Sequence, residues 1–233
     1  MRLKPFFPYM GSKWSIIEKY PQPNTDTIIE PFAGSAQYAT RYHNKNIILN
    51  DLDENIYIVW KYLISVSEEE ILNLDMDFHH IDDSKLTFEQ KKLVGFWISS
   101  SPELPRKTKS AWFYTYLFDW RIRVSRQLKY IRHWKITNKS YIDMDNHIGT
   151  WFVDPPYQLK GKKYRKSSKQ IDFRHLANWS TSRKSEYIIC ENYPSCWLNF
   201  EKLCDLKNSN NDKTYEAIHT NIEDKQLKLF KDI

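Results

Sequence analysis

Seven residues constrain this chain more than any others: Trp151-Phe152-Val153-Asp154-Pro155-Pro156-Tyr157. Three apolar residues run into an acid, two prolines and an aromatic ring. The prolines have no N–H with which to continue a ladder, so the run reads as the end of a buried strand. Asp154 is thereby left at a strand's carboxyl edge, where open α/β sheets bind their ligands. An acid, a stiffened turn and the flat ring of Tyr157 suit a planar base with an exocyclic amine. The plainer alternative is a strand that stops at a Pro-Pro turn, with Asp154 as a solvated cap.

A second stretch has the same layout. Thr27-Ile28-Ile29-Glu30 reads as a β-branched strand, followed by the small-residue turn Pro31-Phe32-Ala33-Gly34-Ser35-Ala36 and a helix over Gln37 to Tyr42. Strand, small turn and helix is the arrangement that lets backbone approach a nucleotide cofactor. The dinucleotide fingerprint fails, because Gly34 stands alone and Glu30 would repel a pyrophosphate. An acid there suits a cationic or hydroxyl-rich cofactor. A further strand, Asn46 to Leu49, ends before Asp51, at the distance where a second-strand acid holds ribose hydroxyls. Asp51 is also placed to cap a helix starting near Glu54, which carries Ile56, Val59, Trp60 and Leu63. Ahead of these strands, Lys4 to Lys13 forms an irregular aromatic arm, and Ser12 is placed to cap a short helix bearing Trp14, Ile17 and Tyr20.

Charge is unevenly spread. Between Lys85 and Lys139 there are 13 Lys and Arg against three acids, a net +10, which leaves −4 for the rest of a chain of net charge +6. From Ser110 the positions Phe113, Leu117, Trp120, Val124, Leu128 and Ile131 form one helical stripe. Arg121, Arg123, Arg126, Lys129 and Arg132 take the other faces. Such a block is either a solvated helix face or a phosphate-binding surface. An aromatic share of 15%, with 9 Trp, supports nucleic acid, since bases stack on rings. A second basic run, with Lys160, Lys162, Lys163 and Arg165, follows Tyr157 directly and is placed to close over an extruded base. Strands are expected at Glu186 to Cys190 and Tyr215 to Thr220, with a helix over Ile171 to Thr181 and a polar tail from Asn221.

Some chemistries drop out. The three cysteines fit no zinc pattern and read as reduced thiols, and the seven histidines show no metal spacing. No metal is expected. A cytosine-ring methylase would need a reactive cysteine, typically after proline, whereas Cys190, Cys196 and Cys204 follow Ile189, Ser195 and Leu203. There is no apolar signal core behind Met1 and no stretch of membrane-span length, so a cytoplasmic protein is expected.

Pro8-Tyr9-Met10-Gly11-Ser12-Lys13, Glu30-Pro31-Phe32-Ala33-Gly34-Ser35 and Asp154-Pro155-Pro156-Tyr157, in that order, resemble the motifs of the Dam-like (alpha-class) adenine-specific DNA methyltransferases. The resemblance implies an α/β, Rossmann-like, seven-stranded and mostly parallel sheet with a mainly helical target-recognition insertion. It implies a catalytic domain over residues 1–74 and 147–233, an insertion over 75–146, and S-adenosyl-L-methionine as cofactor. Position by position, Tyr9 and Lys13 would line the methionine side, Glu30, Pro31, Phe32, Ala33, Gly34 and Ser35 would wrap the cofactor, and Asp51 would hold its ribose. Asp154, beside the cofactor, would hold the target base with Pro155, Pro156 and Tyr157. Arg121, Arg123, Arg126, Lys129, Lys160, Lys162, Lys163 and Arg165 would meet the nucleic acid. Two departures stand out: Ala36 where the family often has a glycine, and Tyr9 where it often has a tryptophan.

The expected partner is double-stranded DNA with a flipped target base, without a membrane, met by a monomer or weak dimer. The expected setting is a bacterial or phage-infected cytoplasm, in restriction–modification or on a phage or mobile element. Cytosine-N4 in DNA and adenine in RNA present the same amine geometry and stay open, as does a silent DNA-binding scaffold.

Overall fold

The computed structural model describes residues 2–100, 102–207 and 213–223, without the side chains of 112, 114–119, 207 and 213. Seven strands form one sheet: β1 (Thr27–Glu30), β2 (Asn46–Asn50), β3 (Lys135–Thr137), β4 (Gly149–Val153), β5 (Ser185–Asn192), β6 (Glu201–Lys207) and β7 (Lys213–Thr220). Their spatial order is β3-β2-β1-β4-β5-β7-β6. β3, β2, β1, β4 and β5 pair in parallel, and β7 runs antiparallel between β5 and β6.

Each central strand sends alternate side chains to opposite faces, as the pleat requires. Ile28, Ile47, Phe152 and Ile188 enter one buried cluster, while Ile29, Trp151, Val153 and Ile189 enter another. Both faces are therefore covered, and β4 is buried at every position. On the first face lie α1 (Gln37–Arg41), α2 (Glu54–Ser65), α4 (Phe88–Trp97) and α5 (Ala111–Gln127), whose Tyr38, Trp60, Trp97 and Trp120 join that cluster. The short α3 (Glu68–Leu72) adds Ile71. On the second face α6 (Phe173–Thr181) packs Leu176 and Trp179.

The apolar stripes of α2 and α5 fall as the spacing predicts. Ile56, Val59, Trp60 and Leu63 are buried, as are Phe113, Trp120, Val124, Leu128 and Ile131, while the side chain of Leu117 lies outside the described residues. Two local expectations are corrected. Asp53, not Asp51, caps α2, its side chain accepting from the Asn55 N–H. Ser12 caps no helix: the arm turns between Lys13 and Ile16 and forms one 3-10 turn at Ile17–Lys19.

Tryptophans of the basic stretch build the core. Trp97, Trp120 and Trp134 are buried with Phe6, Phe7 and Trp60, and the Trp60 and Trp134 centroids lie 5.4 Å apart. The side chain of Trp112 lies outside the described residues. β3 falls within the stretch 75–146, and it pairs with β2 from Ile48↔Lys135 to Asn50↔Thr137. The basic stretch thus supplies an edge strand and core rings to the same sheet. Among the described residues no helix is long and apolar enough to cross a membrane.

Candidate active site

The strand order reverses between β1 and β4, so the loops after these strands leave the sheet side by side. There a cavity of about 970 Å³ opens, at the upper end of the range for small-molecule pockets. It gathers Tyr9, Lys13, Glu30, Phe32, Ala33, Gly34, Ser35, Asp51, Asp154, Pro155, Pro156 and Tyr157, all expected from the sequence. Pro31 is the exception: it does not line the cavity, and its carbonyl accepts from Asn50 Nδ2 at 3.0 Å.

At the β1 end, Glu30 is buried and its Oε1 accepts from the Ala39 N–H of α1 at 2.6 Å. Burial pushes this carboxyl up to about 8 against that hydrogen bond. The turn that follows needs small residues. Gly34 has φ +46, and a Cβ there would lie 3.0 Å from the Tyr9 ring. Ala36 has φ +48, a left-handed conformation that glycine adopts without strain, which gives the departure at this position a physical meaning. The Gly34 N–H donates to Asp51 Oδ2 at 2.9 Å, the Asp53 N–H donates to Asp51 Oδ1 at 2.8 Å, and Trp60 Nε1 donates to the Gly34 carbonyl at 2.8 Å. Asp51 therefore ties the tips of β1 and β2 together while lining the cavity. Burial raises its carboxyl to about 7, although both N–H donors work the other way.

At the β4 end, Asp154 Oδ2 lies 2.8 Å from Lys13 Nζ. Its other oxygen, Oδ1, is buried and has no hydrogen-bond partner among the described residues. Lys13 is only 8% exposed; its Nζ also donates to the Gly11 carbonyl at 3.1 Å and lies 3.9 Å from Glu216 Oε1. Burial disfavours the Lys13 charge, but Asp154 and Glu216 outweigh it and its pKa is raised. Glu216 Oε1 accepts from Tyr20 Oη at 2.7 Å and from Tyr157 Oη. The Lys13 ammonium lies 4.7 Å from the Tyr157 ring centre. Asp154, Cys190 and Glu216 also hold ligand atoms within 4.8 Å of one another, but the Lys13 ammonium already meets the charge of both acids.

Reading the sequence passed over Glu216, which it placed only in a last strand. An acid inside Tyr215-Glu216-Ala217-Ile218 was the available signal. It also passed over Tyr141, Tyr164 and His175, all of which line the cavity. Tyr141 lies 5.5 Å from Phe32, and its Oη is 3.0 Å from His175 Nδ1.

The loop after Tyr157 is tied at several points. Gly161 packs so closely on Pro156 that a Cβ would come within 2.5 Å of its carbonyl carbon. Lys160 Nζ donates to Thr214 Oγ1 at 2.8 Å, Tyr164 Oη to the Met10 carbonyl at 3.2 Å, and Arg165 Nη1 to Asp53 Oδ1 at 2.9 Å. Lys160 and Lys163 line the cavity, whereas Lys162 and Arg165 do not. None of Arg121, Arg123, Arg126 and Lys129 reaches it. Arg121 Nη1 donates to the Leu72 and Leu74 carbonyls at 3.3 and 3.4 Å, because the end of α3 leaves carbonyls open. The Arg123 guanidinium lies 4.1 Å from the Trp120 ring centre, and Lys129 Nζ lies 5.3 Å from that of Tyr130. Arg126 is exposed.

A seven-stranded sheet with one antiparallel β7, open at an acid-lined switch point, is the architecture of the S-adenosylmethionine methyltransferases. Residues 9–101 match the model of the D12 class N6 adenine-specific DNA methyltransferases. Enzymes of this class use S-adenosylmethionine. No curated protein gives a match to the chain. The matched span holds the arm, the Gly34 turn and Asp51; the Asp154 strand lies outside it and is placed beside them by the sheet.

Proposed function

We propose that this chain methylates the exocyclic N6 amine of adenine in double-stranded DNA, at a base turned out of the helix into the cavity. The observation that carries the residue roles is Asp154 Oδ1, a buried acceptor without a partner among the described residues, in a residue that lines the same cavity as the D12-matched Tyr9, Gly34 and Asp51. A buried polar atom of this kind calls for a donor, and an adenine amine offers two N–H groups. Its nitrogen is a poor nucleophile because the lone pair is delocalised into the ring. An N–H held by Asp154, with the ring held by Tyr157, favours a more tetrahedral nitrogen and fixes its direction. The amine nitrogen would form its N–C bond as the S–C bond of the sulfonium breaks to leave a neutral thioether, and the proton the amine gives up would pass by way of Asp154 Oδ1 to water.

The residues present fit S-adenosylmethionine. Glu30, Asp51 and Asp53 line the β1–β2 end with carboxyl groups that suit ribose hydroxyls, Glu30 being held mostly protonated by burial. The Glu30 to Ser35 turn would lie along the cofactor, Asp51 would take its ribose hydroxyls, and Tyr9 and Lys13 would face the methionine side. When bound, the cofactor supplies an electrophilic methyl on a sulfonium. Lys160 and Lys163, at the cavity rim, and the exposed Lys162 and Arg126 are suited to backbone phosphates. A silent scaffold would have no need of a partnerless buried carboxylate oxygen.

The test is to sequence modified bases in DNA from cells expressing the protein. N6-methyladenine is expected within one fixed short sequence, and is expected to vanish for Asp154→Ala. DNA without modified adenine in wild-type expressers would sink the reading.

A further inference from the structure

We propose that Glu216, on β7, is a positioning residue for the target amine: it shares Lys13 with Asp154 and anchors Tyr157, which keeps Asp154 Oδ1 open. The inference rests on the function proposed above and goes beyond it, since Glu216 itself does not line the cavity.

The case starts from the burial of an acid. Glu216 is 1% exposed in a strand whose neighbours across the ladder are Asn192 of β5 and Cys204 of β6. Sheet packing alone would be served better by an apolar side chain, because a buried carboxylate is costly unless paired. Its partners are all residues of the site or their direct support. Tyr157 and Tyr20 both donate to Oε1, and Lys13 stands 3.9 Å from the same oxygen. Burial, and then Asp154, raise the Glu216 carboxyl, while the Lys13 ammonium and the two hydroxyl donors favour its ionised form.

The ammonium of Lys13 has three N–H donors. One faces Asp154 Oδ2 at 2.8 Å and one the Gly11 carbonyl at 3.1 Å, while Glu216 Oε1, 3.9 Å away, draws the ammonium by charge and not by a hydrogen bond. With its donors so divided, Lys13 charges Asp154 through one oxygen and leaves the other free. Without Glu216 the third N–H turns toward Oδ1 and competes with the amine for it. The Tyr157 hydroxyl would lose its acceptor at the same time, and the ring that faces the base would lose its anchor.

Two variants separate these effects. Glu216→Gln keeps an oxygen for both hydroxyls and removes the charge that draws Lys13. Glu216→Leu removes both. Once the target sequence has been read from methylated DNA, kcat and KM are measured on that duplex. Base capture is followed by the fluorescence of 2-aminopurine at the target position. The expected fall in kcat is about tenfold for Gln and about a hundredfold for Leu, with KM for DNA within about threefold. 2-Aminopurine lacks the N6 amine and reports the ring alone, so its signal should fall for Leu, which frees Tyr157, and hold for Gln. Tyr157→Phe should cost less in the Leu background than in wild type, as residues acting through one contact are not additive.

An unchanged kcat for Gln and Leu, or additive losses with Tyr157→Phe, would overturn the inference. If Leu fails to fold by circular dichroism, Gln decides alone, and wild-type kcat in that variant overturns it. A wild type that transfers no methyl would overturn the proposed function and this inference together. An active wild type with an indifferent Gln variant overturns the inference only.

Discussion

The two ends of the cavity hold carboxylates in different ways. At the β1–β2 end, Glu30 and Asp51 are held by backbone N–H groups of Ala39, Gly34 and Asp53, from 2 to 17 positions away. At the β4–β7 end, Asp154 and Glu216 are held by side chains, with Tyr20 and Glu216 196 positions apart. The first end is built by one local β-α-β unit, and both Asp51 oxygens accept from it. The second end leaves Asp154 Oδ1 open. A held acid shapes a binding wall, and an open one is available for chemistry.

That contrast is easiest to break at Asp154. Asp154→Ala should lower methyl transfer by about a thousandfold, the scale of losing a key polar group at a reacting centre. The cofactor Kd, measured by calorimetry, should move by less than about threefold. A matching loss of cofactor affinity would merge the two ends into one site.

Asp51 probes the other wall through pH. Its carboxyl sits near 7, so it is mostly protonated at pH 6 and mostly ionised at pH 8. Only the ionised form accepts from two ribose hydroxyls without restraint, so cofactor affinity should rise by up to about tenfold from pH 6 to 8. Asp51→Asn should flatten that curve near its low-pH value. For folding the sign is opposite. The folded value lies above the ordinary 3.8, so the folded chain binds the extra proton and stability falls as pH rises from 3.8 to about 7. A urea midpoint that rises across this window would contradict the assignment.

The basic residues divide along the same line, between charge used by the fold and charge left open. Arg121→Ala should cost about 1 kcal/mol of stability by releasing the Leu72 and Leu74 carbonyls, read from the denaturant midpoint. The salt dependence of DNA binding should stay unchanged. Arg126→Ala should do the reverse on a smaller scale: an unchanged midpoint, a salt slope lower by about one, and a Kd raised by about threefold. Equal slopes for both variants would move the phosphate surface off α5.

What was legible in the sequence follows the first wall more closely than the second. The strand and turn from Thr27 to Ala36 and the spaced Asp51 are set by local backbone geometry, so a short window carries them. The strand ahead of Asp154 was legible because an unbroken apolar run ending in two prolines has few other uses. Glu216 was not, because nothing near it in sequence says that Lys13 and Tyr20 will arrive. β3 has three residues, too few for a period, and α4 places Lys91 and Lys92 beside core residues Leu93 and Val94. The tryptophans show how little composition alone places. A ring that stacks on a base and a ring that fills a core look the same in composition, and Trp97, Trp120 and Trp134 fill the core.

The order β3-β2-β1-β4-β5-β7-β6 also has a kinetic meaning. Lys13 comes before the first strand and Glu216 lies in the last, so the proposed target wall closes a loop over most of the chain, and contacts of such separation form late. The proposed cofactor wall draws Glu30, Gly34 and Asp51 from the first third of the chain. A molecule frayed at β7 would therefore be expected to keep the proposed cofactor wall longer than the proposed target wall.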